Sequence, residues 1–170
     1  MTVKKEANNA LELLINDHRE VRRLFKEYEK IHHKAAAEDK QELADEICNE
    51  FLMHADIEEQ IFYPAVREAI RDDELIDEAE VEHQSARDLV EQIRAMSPDD
   101  ELYDAKVQVL GEQIEHHVHE EETEMFPKVK KAKLDLDAMG QEMMQAKEAA
   151  RSGFIAAKSK AKRSGRQPRH

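Results

Sequence analysis

His54-Ala-Asp-Ile-Glu58-Glu-Gln-Ile-Phe-Tyr-Pro64 and His117-Val-His-Glu-Glu121-Glu-Thr-Glu-Met-Phe-Pro127 are two copies of one pattern: a His, a Glu four residues on, and a Pro six residues after the Glu. A lone histidine precedes each copy, His18 by 36 residues and His83 by 34. His and Glu at i and i+4 project from one face of a helix, one turn apart. Imidazole and carboxylate together suit iron, zinc or manganese. The candidate ligands are therefore His18, His54, Glu58, His83, His117 and Glu121, enough for two metal ions in one bundle.

The flanking residues place each candidate on a helix. Helix one is expected from about Ala7 to His33, with the stripe Leu11, Leu14, Ile15, His18, Val21, Phe25, Tyr28 at spacings of three and four. Helix two, about Asp39 to Ile70, carries Leu43, Ile47, Phe51, His54, Glu58, Phe62, Ala65. Helix three, about Glu74 to Met96, carries Ile76, Ala79, His83, Ala86, Val90, Ile93. Ser97-Pro98 reads as an N-cap and first turn. Helix four then runs to about Ala132, with Tyr103, Val107, Leu110, Ile114, His117, Glu121, Met125 on its stripe. Pro64 and Pro127 fall at matching places, where a proline either kinks a helix or ends it. The pattern predicts an all-α, up-down-up-down four-helix bundle over residues 1–135, with inward side chains available to hold metal. A buried His or Glu is costly without a partner. Metal and a hydrogen-bonded polar network are the two ways to supply one.

Helix four offers several histidines. Counting back from Pro127 gives His117, as His54 is ten before Pro64. Stepping back one turn at a time from His117 meets Ile114, Leu110, Val107 and Tyr103, whereas His116 leads back to Gln113, Val109 and Lys106, and His119 to Glu115, Glu112 and Gln108. His117 with Glu121 is thus the preferred pair and His116 with Glu120 the alternative. His119 or Glu124 would at most line an entrance.

The 170 residues contain four Gly, four Pro, no Trp and 38% charged side chains, a composition of long helices with little loop. A single cysteine, Cys48, excludes an internal disulfide and a thiolate cluster within one chain. No leader-like or membrane-spanning apolar run is visible, and a cytoplasmic location is expected. Net charge is −13, and would be −19 without the six basic groups of the last thirteen residues. Such a surface disfavours nucleic acid and anionic lipid as partners. Residues 136–157 are expected to form an accessory C-terminal helix (Leu136, Met139, Met143, Ala150, Phe154) that packs on the bundle or makes a homodimer. Residues 158–170 read as a disordered basic tail.

The order His, His-x-x-x-Glu, His, His-x-x-x-Glu resembles the hemerythrin-like family, the HHE cation-binding domains. Asn16-Asp-His18, the two stretches quoted above and Glu82-His83 carry the resemblance, over about residues 8–132. It implies a four-helix bundle holding two non-heme irons bridged by carboxylates and an oxygen species, manganese or zinc being the lesser alternatives. His18, His54, His83 and His117 would then be terminal ligands, and Glu58 and Glu121 the bridges. Oxygen-carrying members have a further His one turn after the third-helix His, where this chain has Arg87. Their last carboxylate is an Asp five residues after its His, where this chain has Glu121 at four.

These departures favour a protein that binds or reduces O2, NO or peroxide. The rivals are a reversible O2 or NO carrier or sensor, an iron store or donor, and a structural bundle with zinc or no metal. His54→Ala and His117→Ala are each expected to lose most bound metal while staying helical, because apolar stripes supply most of the burial. His116→Ala and His119→Ala should retain the buried metal. Metal analysis beside circular dichroism checks both, and metal lost from His116→Ala but not from His117→Ala would put helix four in the other register.

Overall fold

The computed structural model describes residues 9–164, and all of its regular elements are helices: α1 (Ala10–Ile31), α2 (Ala37–Ile57), α3 (Tyr63–Ile70), α4 (Asp73–Ala95), α5 (Tyr103–Glu120), α6 (Phe126–Lys131) and α7 (Leu136–Ser164). One π turn, Glu58–Phe62, joins α2 to α3, and another, Glu121–Met125, joins α5 to α6. Four long rods result, packed as an up-down-up-down bundle, with α7 laid against α1 and α2. The expected start of helix one at Ala7 lies outside the described residues. Asn9 caps α1, its side-chain oxygen accepting the Glu12 N–H at 3.0 Å, and Asp72 does the same for α4 through Leu75 at 3.3 Å.

Neither proline ends its helix. Pro64 has no N–H to give the carbonyl four residues back, and its ring crowds that carbonyl. The preceding turn widens instead: the Tyr63 N–H reaches the Glu58 carbonyl, five residues back, and the Phe126 N–H reaches that of Glu121. Each wide turn absorbs one extra residue, so the apolar face shifts by one position beyond it. Ala65, expected on the stripe, is only half-buried, and Val66 takes the core position. In the second copy Phe126 and Val129 follow Met125 into the core.

Helix four also starts later than expected, at Tyr103 rather than Pro98. The Ser97 N–H donates to Asp100 Oδ2 at 2.9 Å, and the Ser97 carbonyl accepts from the Asp100 N–H at 3.0 Å. These local bonds hold a turn that competes with a helical start.

The apolar core has two parts. One contains Val21, Leu24, Ile47, Phe51, Ala86, Val90, Leu110 and Ile114. The other contains Leu11, Leu14, Phe62, Tyr63, Val66, Ile76, Met125, Val129 and, from α7, Met139 and Met143. In each of the four rods the boundary between the two falls at the candidate ligands. The polar side chains thus form a layer between two apolar blocks.

The accessory helix spends Met139 and Met143 on its own bundle and pairs Arg151 with Glu50 at 3.2 Å. It continues to Ser164, seven residues past the expected end at Ala157. The run from Ala156 to Arg163 is rich in Ala, Lys and Arg, which favour helix, and its positive charge suits a helix C-terminus. The rest of the expected basic tail, 165–170, lies outside the described residues.

Gly140 is the contact point of α7 with the start of α1. A Cβ there would lie 2.7 Å from the Asn9 carbonyl carbon and 2.8 Å from the Ala10 nitrogen, backbone atoms that cannot swing aside. Gly140→Ala should therefore destabilise despite its better helix propensity. Overpacking costs about 1–3 kcal/mol against a gain of about 1 kcal/mol. Thermal unfolding should show a Tm lower by a few degrees; an unchanged or higher Tm would mean that α7 is not seated there.

Candidate metal centre

All six sequence-predicted residues meet in the polar layer, and all are buried, Glu58 completely. Their ligand atoms form two groups, each lying within 4.8 Å: His18, His54, Glu58 and Glu121 in one, and Glu58, His83 and His117 in the other. Glu58 belongs to both. Glu121 also reaches both, with Oε1 3.5 Å from His18 Nε2 and Oε2 3.0 Å from His117 Nε2. The two glutamates thus stand between the two histidine pairs. His116 is exposed, as are His119 and Glu124, and none of them enters the layer.

Within each pair the imidazoles face each other through Nε2, His18 and His54 at 3.2 Å and His83 and His117 at 3.0 Å. The opposite nitrogens are held by carboxylates outside the layer. His54 Nδ1 is 3.0 Å from Asp17, His18 Nδ1 is 2.9 Å from Glu122 and His117 Nδ1 is 3.0 Å from Glu82, while His83 Nδ1 points at Glu59 from 3.6 Å. An ionised carboxylate only accepts, so the proton of a neutral imidazole sits on Nδ1 and the Nε2 lone pair faces the centre. Bare lone pairs would then oppose one another beside two carboxylates. His54 Nε2 lies against Glu58 Oε1, yet neither oxygen of Glu58 has a donor in hydrogen-bond geometry, nor does Glu121 Oε1.

Only positive charge makes that arrangement affordable. Without metal, protons must provide it. Burial pulls the His117 imidazole down, but the hydrogen bond and charge of Glu121, with help from Glu82, outweigh it and raise the group to about 10. Burial opposes the charged forms of His18 and His54 too, yet the carboxylates around them raise both. Glu121 is correspondingly held well below the usual carboxylate range, its two histidine partners outweighing burial. The spacings fit metal. Cis ligands about 2.1 Å from a small six-coordinate ion stand about 3.0 Å apart, close to the distances between the paired Nε2 atoms.

The structure adds residues that the stripes did not single out. The outer carboxylates Asp17, Glu59, Glu82 and Glu122 are one; their signal is adjacency, an acid directly before each lone His and directly after each stripe Glu. Two of the four cross between copies, Glu59 facing His83 and Glu122 holding His18, while Asp17 and Glu82 serve the His of their own copy. Arg87 grips Glu59 and Asp56 rather than pointing into the centre, and Lys147 of α7 pairs with Asp17.

Tyr63 is the other addition. Its hydroxyl donates to Glu121 Oε2 at 2.9 Å and lies 3.3 Å from Nε2 of both His83 and His117. Burial, with the Glu121 and Glu58 charges, raises its pKa well above the ordinary phenol value. The matching residue of the second copy is Phe126, stacked on His18 at 6.0 Å. One half of the centre thus has a phenol where the other has a bare ring. A cavity of about 810 Å3 lies between α1 and α5, with His18 in its lining beside Val21, Phe25, Val107, Ile114 and Val118 and with charged side chains, among them Arg22, Glu112 and Glu115, completing its wall.

Residues 9–129 match the model of the hemerythrin HHE cation-binding domain. A crystal structure of a hemerythrin HHE cation-binding domain-containing protein from Mycobacterium kansasii superposes with a TM-score of 0.73 at 26% identity, covering 87% of this chain and 90% of that one. The chain is also 29% identical over 129 residues to a DNA nickase of a Nostoc species. It spans 35% of that relative's length, and the match takes in 74% of this chain.

Because the outer carboxylates fix the imidazoles, Asp17→Asn and Glu122→Gln should each weaken metal binding by roughly 10–100-fold while the helices persist. Competition against a chromophoric chelator measures this; wild-type affinity in both variants would strip these residues of the role.

Proposed function

The chain belongs to the hemerythrin family of HHE cation-binding domains, and from that premise we propose that its buried centre holds two irons and binds or reduces O2, NO or peroxide. The observation that carries the reading is the shared pair of glutamates, Glu58 in both ligand groups and Glu121 spanning them. Such an arrangement suits two ions held close together. In this reading His18 and His54 serve one ion, His83 and His117 the other, and Glu58 and Glu121 bridge.

Two irons, when bound, supply a Lewis-acid and one-electron redox centre. The chain's own residues do the rest. Hydrogen bonds from Nδ1 of His18, His54 and His117 to carboxylates hold those rings so that Nε2 faces inward. Phe51, edge-on to His83 at 5.9 Å, and Phe126 keep bulk water from the layer. The apolar part of the α1–α5 cavity, Val21, Phe25, Val107, Ile114 and Val118, suits uncharged O2 and NO better than its charged rim does. Tyr63 offers a hydroxyl proton beside Glu121, where a reduced small molecule would need one.

Tyr63 and Arg87 favour reduction over reversible carriage. The fifth-His position of the oxygen carriers holds Arg87, whose guanidinium is engaged outside the layer. Four imidazoles and two bridging carboxylates leave positions for small ligands at both ions. Nucleic-acid chemistry is not part of the reading, since a net charge of −13 opposes approach to phosphate.

Protein purified from iron-supplemented cells should carry about two irons per chain and absorb in the near ultraviolet, as bridged ferric ions do. Stoichiometric zinc, or less than about half an iron per chain, would reject the di-iron reading. After reduction, a stopped-flow mix with O2 followed by argon purging should leave the protein oxidised. Full return to the reduced spectrum would make it a carrier.

A further inference from the structure

Three of the four outer carboxylates are backed by a permanent cation: Asp17 by Lys147, Glu59 by Arg87, and Glu122 by Arg22 at 3.7 Å. Glu82 has no lysine or arginine within ion-pair distance among the described residues. One of its oxygens accepts from His117 at 3.0 Å. The other, Oε2, lies 3.5 Å from His116 Nε2, and Glu120 Oε1 lies 3.4 Å from that same nitrogen.

The internal repeat shows what is unusual here. In the first copy the positions of Glu82, His116 and Glu120 are held by Asp17, Met53 and Ile57. There the outer oxygen of the carboxylate is taken by the Lys147 ammonium, delivered by α7. In the second copy an imidazole and a second carboxylate stand where the first has two apolar side chains. A further carboxylate adds to the negative charge at Glu82 instead of relieving it.

The distances indicate what would relieve it. An imidazole N–H donating to a carboxylate closes to about 2.7–3.2 Å; 3.4 and 3.5 Å are too long. Two ligands each about 2.05 Å from a tetrahedral ion stand about 3.3 Å apart. All three ligand atoms lie within 4.8 Å of one another, and His116 opens to solvent.

We propose that Glu82, His116 and Glu120 form a second cation site on the surface of the bundle, taking a divalent transition ion such as Zn2+ with water completing its coordination. The ion does for Glu82 what Lys147 does for Asp17. It shares that carboxylate with His117, so the surface site and the buried layer are joined through the two oxygens of one side chain. Being exposed, the site exchanges its ion with solvent, whereas the buried layer does not.

The test uses full-length, iron-loaded protein, dialysed against buffered Zn2+, with zinc and iron both counted. Wild type should hold about one zinc per chain more than His116→Ala or Glu120→Gln, at equal iron in all three. Both substituted residues lie outside the buried layer, so circular dichroism should be unchanged. Equal zinc uptake by the three proteins overturns the proposal. The readout is a difference between wild type and variants, defined whatever the buried layer contains, whereas the di-iron reading stands or falls on the iron content of wild type.

Discussion

Burying two carboxylates and four imidazoles in one layer is tolerable only if their charges balance, and much of the molecule serves that balance. Glu58, fully buried, has only the His54 imidazole against it and no well-formed hydrogen bond on either oxygen. In an apolar interior such a group costs several kcal/mol unless a cation sits against it. The requirement propagates outward. Carboxylates fix the imidazoles, and Lys147, Arg87 and Arg22 offset those carboxylates. Even the accessory helix is part of it, since its lysine completes one arm. The acidic body of the chain follows partly from this: a centre built for cations is ringed with acids.

Backbone geometry answers to the same layer. Both bridging-position glutamates open a π turn, and a proline closes the widened stretch six residues later. The proline forbids the ordinary bond to the fourth carbonyl back, so the sequence itself favours the wide turn. An ordinary helix would bring Ala65 rather than Val66 to the core, and would set Tyr63 off the face that meets His83. The wide turn thus places the phenol.

Periodicity made most of this legible. The stripes of α4 and α5 reach the core residue for residue, including His83 and His117, because a straight helix keeps its 3.6-residue period. The same logic separated His117 from His116. It failed where the period itself changes: beyond Glu58 the wide turn moves the face by one residue, and Ala65 gave way to Val66. It failed again at Ser97, where side-chain bonds outcompete a proline-led helix start. Tyr63 was hidden because the regular period puts Phe62 on the stripe and Tyr63 off it, and only the wide turn brings the phenol to the layer. The outer carboxylates were hidden among many solvated acids; only their position beside each stripe ligand sets them apart.

The division of the core into two apolar blocks has a consequence for the life of the protein in a cell. Helical backbone joins the blocks, but between them lie polar groups that, without metal, are held together only by protonated imidazoles and the Tyr63 hydroxyl on Glu121. Without it, this waist is the place where the bundle opens most readily, and local opening is what proteases sample. A bound ion favours the closed form in proportion to its free concentration over its dissociation constant. Amide exchange at the waist should therefore slow on metal loading, while exchange within each block changes little. The steady-state amount of the protein would then follow metal supply through its rate of turnover.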